Sequence, residues 1–444
     1  MFINCPEYIN TAFRLLEKSG FNAYVVGGCV RDSLRGKEPC DWDMTTSSTP
    51  QETMEVFKDF RVIPTGLKHG TVTVIIDGIH IEITTMRVDG EYYDNRRPES
   101  VHFTTEIEQD LSRRDFTVNA MAYNHKDGLI DIFGGKEDLK NRIIRCVGAP
   151  DIRFNEDALR IIRALRFASV LDFKIEKTTS ESIQKNIPLI NNVAKERIRV
   201  ELVKLLCGTA VERILTDYKE IIFSIIPELR RLDEFPQNTP YHIYDVWTHT
   251  VKVVSSIKND EKLRVAALLH DVAKPFCHTI DNNGVSHFKG HPEKSAQMAE
   301  IILRNLRFSN TFINTIYDLI LLHDMYPDGN KNTVAHFCSK YTPETIKLTL
   351  ELMRADSAGK NPEFALKQLA SYDIAEIQID EIVASGLCLK LSDLNVSGHD
   401  IKAAGFDGKE IGTVLDSLLE LVIEGKISNQ KEMLLNAAKK IKNN

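Results

Sequence analysis

The chain has 444 residues, 43% of them hydrophobic and 27% charged, with a formal net charge of −7. That length exceeds one ordinary core, the apolar fraction excludes a disordered chain, and no apolar run approaches the ~20 residues of a membrane span. The acidic balance argues against indiscriminate coating of a polyanion, and eight scattered cysteines with no CxxC pair exclude a disulfide framework or zinc ribbon and suit a cytoplasmic protein.

The opening stretch MFINCPEYINTAFRLLEK reads as an amphipathic helix without the apolar region of a signal peptide. Ala23 to Val26 is a short β run that ends in Gly27-Gly28 and leads into a helical stretch to Leu34. Next come Asp41 and Asp43 on either side of Trp42; a strand over Cys40–Met44 puts both carboxylates on one face and the indole on the other. Two more strands are expected at Thr71–Ile76 and Ile79–Thr85, the second alternating Ile79, Ile81 and Ile83 against His80, Glu82 and Thr84. From about Asn155 the helical period takes over. A loop with two prolines from Pro236 to Tyr241 marks a boundary, and most of the late histidines follow it. The remainder is helical with glycine-containing turns. The expected organisation is one α/β head on a long helical body.

Two carboxylates that close repel one another unless a cation lies between them, and hard oxygen ligands favour Mg²⁺ shared with substrate phosphates. Alone, a DxD on a strand is most often ordinary surface acid. With GGCVRD a short way upstream, where backbone N–H groups of Gly28 and the charge of Arg31 can meet a triphosphate, the pair points to two-metal phosphoryl or nucleotidyl transfer. Glu82 stands as a third carboxylate. Further on, Arg113-Arg114-Asp115-Phe116 can hold a triphosphate and a hydroxyl together. The run from Asn155 to Phe167 reads as one helix capped by Asn155, with Glu156, Arg160 and Arg163 on one stripe flanked by Asp157 and Arg166. From Lys140 to Lys174 eight basic residues face four acidic ones, a local excess of +4 within an acidic chain.

GGCVRD, DWD, LKHGTVTV, IEITTMR and RRDFTVNAMAYN together resemble the class II tRNA nucleotidyltransferases, the CCA-adding family of the polymerase-β superfamily, with the bacterial poly(A) polymerases as close relatives. The resemblance implies an α+β, multidomain protein. A nucleotidyltransferase head (1–148) precedes a helical neck that reads the base (149–235), an HD domain (236–360) and a helical tail that holds tRNA (361–444). It implies template-independent addition of CCA to the tRNA 3′ end from CTP and ATP, with catalytic Mg²⁺ on Asp41 and Asp43. Nucleotide contacts are implied at Gly28, Arg31 and Arg114, base reading by Asp157 and Arg160, and support from Arg163 and Arg166. Lys195-Glu196-Arg197-Ile198 matches the last neck motif, expected to brace rather than catalyse. RVDGEYYDNRRPESVHF resembles the loop with which full CCA enzymes switch from CTP to ATP. An A-adding or poly(A)-adding transferase is the nearest alternative.

His249, His270-Asp271, His291, His323 and Asp356 resemble the ligand set of an HD metal-dependent phosphohydrolase. Imidazole with carboxylate suits a second divalent metal of the transition series, and an adjacent HD pair ending an apolar run needs compensation if buried. Lys274 is expected as an electrostatic helper at most. A phosphohydrolase acting through this site with an RNA-binding head is the alternative from another class.

Overall fold

The computed structural model describes residues 2–90, 101–325, 327 and 329–442. The chain forms two compact units, Met1–Pro227 and Glu228–Asn444.

In the first unit, helix α1 (Glu7–Lys18) buries Ile9, Ala12, Phe13 and Leu16, the i, i+3, i+4, i+7 stripe of an amphipathic helix. Strand β1 (Ala23–Val26) is buried along its whole length and leads through Gly27 into α2 (Gly28–Leu34). Strand β2 spans Asp43–Thr46, so Asp41 and the buried Trp42 precede the strand instead of lying inside it as the sequence suggested. The backbone joins the sheet only where Asp43 aligns with its neighbours; Asp41 and Asp43 are still both exposed with Trp42 turned inward. Helix α3 (Pro50–Val56) starts at a capping box made by Thr49 and Glu52. Strands β3 (Arg61–Gly66), β4 (Thr71–Ile76) and β5 (Ile79–Thr85) follow, with Ile81 and Ile83 buried and Ile79 left exposed.

Strands β6 (Arg87–Asp89) and β7 (Val101–Phe103) form an antiparallel pair at the two ends of the expected switching loop. The heart of that loop, residues 91–100, lies outside the described residues. After α4 (Ile107–Ser112) come β8 (Ala122–Asn124) and β9 (Gly128–Ile130). They complete a seven-stranded sheet of order β3-β4-β5-β2-β1-β8-β9. Within this sheet only the β2–β5 pairing is parallel, with Asp43 beside Glu82. Helices α5 (Gly135–Asn141), α6 (Pro150–Glu156), α7 (Leu159–Leu171), α8 (Lys177–Lys185), α9 (Lys195–Leu206), α10 (Val211–Asp217) and α11 (Lys219–Ile225) finish the unit.

The second unit is helical: α12 (Val246–Ser256), α13 (Glu261–Leu269), α14 (His291–Asn305), α15 (Asn310–Leu322), α16 (Lys331–Tyr341), α17 (Pro343–Ala358) and α18 (Pro362–Ala384), then the shorter α19 (Gly398–Ala403) with α20 (Glu410–Ile423) and α21 (Lys431–Lys442). Ile346, Leu350, Met353, Tyr372 and Ile379 share one core; Ile401, Phe406, Leu418 and Leu434 share another. Among the described residues no helix is long and apolar enough to cross a membrane.

Candidate functional site

In the head, the turn after β1 is set by Gly27, whose φ of +77° is a left-handed conformation that favours glycine. A Cβ there would lie 3.1 Å from Nη1 of Arg114, so the absent side chain also makes room for a guanidinium. Asp43 and Glu82 are register partners on neighbouring parallel strands, which puts both carboxylates on one face of the sheet. Although its surface is exposed, Asp43 is set among protein atoms; that desolvation and then the charge of Glu82 push its carboxyl up from its ordinary value, Arg114 opposes them, and Asp41 adds a lesser push. Carboxylates held together so that one resists ionisation fit a divalent cation.

These acids border a cavity of about 750 Å³ lined by Asp43, Asp115 and Asp157 and by eight arginines: Arg31, Arg87, Arg113, Arg114, Arg160, Arg163, Arg166 and Arg197. Gly27 and Gly28 also line it; Asp41 and Glu82 flank Asp43 outside the lining. The arginines are held apart by a few buried acceptors. Arg113 Nη2 lies 2.6 Å and Arg114 Nη2 3.2 Å from opposite oxygens of Asp110, which is fully buried. Burial opposes charge on Asp110, but the two guanidinium groups outweigh it and its pKa falls. Arg31 forks onto Asp32 and donates to Asn119 Oδ1 at 2.6 Å. Asp115 receives Nε and Nη2 of Arg163 at 2.8 and 2.5 Å, together with the Phe116 and Asn119 N–H groups. Although Asp115 is buried, these donors lower its pKa to about 2. Arg166 lies 3.8 Å over the ring of Phe167 and 2.9 Å from Glu201. Burial lowers its pKa to about 10.

The neck differs from the expected single helix. Helix α6 ends at Glu156, Asp157 is extended (φ −140°, ψ 101°), and α7 begins at Leu159. Asn155 therefore lies at the end of α6, donating to the Asp151 carbonyl, and the N-cap of α7 is Ala158; the Asp157 side chain accepts the Leu159 N–H. The break has a tertiary cause. Arg197, 40 residues on, grips Asp157 with Nη1–Oδ1 3.2 Å and Nη2–Oδ2 2.8 Å. Arg160, only 8% exposed, is tied to Glu156 at 2.6 Å and to the Arg113 carbonyl at 2.8 Å. Arg197 and Glu201 are one turn apart on α9, Glu201 facing Arg163 and Arg166. The sequence assigns no role to Glu201 or Asp110 and places Asn119 and Phe167 only inside longer motifs; the i,i+4 spacing of Arg197 and Glu201 is the available signal.

The second unit gathers His249, His270, Asp271, His291, His323 and Asp356 into one buried cluster. Four Nδ1 atoms face backbone carbonyls: His249 with Gly359 at 3.1 Å, His270 with Ala267 at 2.8 Å, His291 with Phe288 at 2.9 Å and His323 with Ile320 at 2.6 Å. A proton on each Nδ1 leaves each Nε2 as a lone pair turned inward. There Nε2 of His249 lies 2.9 Å from Asp356 Oδ1, Nε2 of His270 lies 3.1 Å from Asp271 Oδ2, and Nε2 of His291 lies 3.3 Å from Asp271 Oδ1. Neither Asp271 oxygen nor His270 Nε2 receives a well-directed hydrogen bond. Acceptors facing acceptors fit a cation between them. Gly359 is required here too, because a Cβ would stand 2.9 Å from His249 Nδ1. Lys274 Nζ lies 2.7 Å from Asp271 and Lys360 Nζ 2.6 Å from Asp356. His278, between Phe235 and Phe288, and His287, paired with Asp281, stand outside the cluster.

Three family models match the chain: the Poly A polymerase head domain over residues 23–145, the "Probable RNA and SrmB-binding site of polymerase A" over 172–230, and tRNA nucleotidyltransferase domain 2 over 290–438. A CCA-adding enzyme of Ligilactobacillus salivarius is 33% identical across 99% of this chain and 98% of its own. One from Geobacillus kaustophilus is 46% identical over 49% of this chain and 53% of its own. Among solved structures, the Bacillus stearothermophilus CCA-adding enzyme in complex with CTP superposes with a TM-score of 0.74 at 26% identity, covering 98% of this chain and 97% of that one. The head sheet, the arginine-lined cavity beside its carboxylates and this full-length similarity lead to one conclusion: the chain belongs to the CCA-adding enzyme family.

Proposed function

We propose that this chain completes the 3′ end of tRNA, adding C, C and A from CTP and ATP without a nucleic-acid template. The observation that carries the reading is a single cavity joining Asp43, with Glu82 beside it on the next strand, to the arginine and aspartate side chains of the neck. Asp41 and Asp43, with Glu82 beside them, hold Mg²⁺, which supplies charge stabilisation at the reacting phosphate and acidity at the primer hydroxyl. Arg31, Arg113 and Arg114 neutralise the triphosphate and orient it, each kept at its angle by a buried acceptor.

Asp157 and Arg160 read the base. Asp157 Oδ2 takes one prong of Arg197 and keeps a lone pair for an exocyclic amine. Arg160 offers a donor to the ring nitrogen. Cytosine and adenine both present amine donor beside nitrogen acceptor; guanine and uracil present the reverse. Supporting roles fall to Arg163 and Arg166, set by Asp115 and Glu201. All eight cysteines are free, which suits the reducing cytoplasm where we place the protein. The test is extension of tRNA lacking its 3′ end, with CTP, ATP or both, followed by sequencing of products. Ordered CCA supports the reading; A added only to ends in CC selects an A-adding enzyme, and long A tails select a polymerase.

A second activity is favoured by the inward lone pairs of the histidine cluster. We infer that His249, His270, Asp271, His291, His323 and Asp356 hold a divalent transition metal in a phosphohydrolase-type site, where the bound metal supplies an activated water. Mn²⁺ titration of wild type against His270→Ala tests it; equal binding by both overturns it.

A further inference from the structure

Lys360 has a setting that neither the transferase reading nor the choice of metal ligands uses. It follows Gly359, one turn beyond Asp356, and its ammonium lies 2.6 Å from Asp356 Oδ2 while His249 occupies Oδ1. It also lines a cavity of about 410 Å³ that opens onto Asp271, His291 and His323. Its counterpart Lys274 is more firmly tied, since it pairs with Asp271 and also donates to Gln237 Oε1 at 2.9 Å. With neutral imidazoles, Asp271 and Asp356 balance the ammonium groups of Lys274 and Lys360, and Asp324 on the cavity wall is one further carboxylate facing Lys360. A divalent ion adds two positive charges to a buried setting, and an anion arriving from the cavity offsets them.

We propose that Lys360 has two successive partners. Without metal its ammonium stands in for the ion on Asp356; with metal bound it turns into the cavity and anchors the anionic group of a phosphate-bearing substrate. No bond is made or broken in this exchange of ion pairs. The proposal rests on the metal reading of the cluster, and the experiment separates the two.

Mn²⁺ binding is measured by calorimetry on the full chain for wild type, Lys360→Met and Lys360→Arg, and inorganic phosphate is then titrated into each Mn²⁺-loaded protein. Thermal unfolding confirms that each variant is folded. Lys360→Met is expected to bind Mn²⁺ more tightly, having lost the competing ammonium, and to bind phosphate roughly tenfold or more weakly, the usual loss for a hydrogen bond to a charged group. Lys360→Arg, which keeps the charge, is expected to recover most of the phosphate affinity. No Mn²⁺ on wild type overturns the metal reading and this proposal with it. Mn²⁺ on wild type with unchanged Mn²⁺ and phosphate affinities in Lys360→Met overturns the role of Lys360 alone. If Lys360→Met fails to fold, Lys360→Gln decides: tighter Mn²⁺ binding with weakened phosphate binding supports the proposal, and both affinities at the wild-type level overturn it.

Discussion

Arg197 holds Asp157 with two parallel contacts, Nη1–Oδ1 at 3.2 Å and Nη2–Oδ2 at 2.8 Å, across 40 residues of chain. That grip fixes the carboxylate proposed to accept the amine of the incoming base. Arg197→Met is expected to lower kcat/KM for CTP and ATP roughly 10- to 100-fold, the value of a charge-assisted contact, and to raise misincorporation of UTP. Arg197→Lys keeps the charge but loses the fork, so it falls between. Nucleotide competition assays read both effects; unchanged selectivity in a folded Arg197→Met assigns the pair to stability alone.

Asp43 sits between Glu82 and Asp41 on the edge of the arginine-lined cavity. Asp43→Ala is expected to cut nucleotide addition by ~10³-fold or more, because metal-assisted charge stabilisation is lost. Hydrolysis and Mn²⁺ binding at the His270-Asp271 cluster are expected to persist. Measuring both in one preparation separates the two sites, and joint loss in a folded variant contradicts their independence.

Gly27→Ala tests the turn. A non-glycine residue at φ +77° costs about 1–2 kcal/mol, and the new methyl would press on Arg114 Nη1. A lower unfolding midpoint together with a raised KM for the nucleotide is expected. Stability loss with unchanged KM removes Arg114 from nucleotide binding.

The pH dependence of stability follows from Asp115. Its folded pKa of about 2 lies below the ordinary 3.8, so its stabilising effect is fully present above the unfolded value and is lost as pH falls toward 2. The difference corresponds to roughly 2 kcal/mol. Asp115→Asn is expected to be less stable than wild type at pH 7, and that gap should narrow between pH 5 and pH 3 in urea titrations. A gap independent of pH assigns the loss to packing.

Local signals made much of the head legible. Strands β1, β4 and β5 follow from apolar runs and the two-residue period, and the glycine pair after β1 announces its turn. The break at Asp157 was not legible, because Asn155-Glu156-Asp157 is good helix-start sequence and the extended backbone depends on Arg197 far along the chain. The start of β2 at Asp43 depends likewise on pairing with β5. For the second cluster, the resemblance to an HD phosphohydrolase ligand set named its six side chains. The carbonyls that turn the rings inward, and Lys360 on Asp356, exist only in the folded unit.

The parallel pairing of Asp43 with Glu82 has a mechanical meaning. Neighbouring strands stand about 4.8 Å apart, so the sheet itself acts as a ruler for the carboxylates proposed to hold the metal. Base choice is assigned to a helix break braced by α9, a separate mechanical part. Selectivity can therefore drift through changes at Asp157, Arg160 or Arg197 while the metal requirement stays where the strands set it.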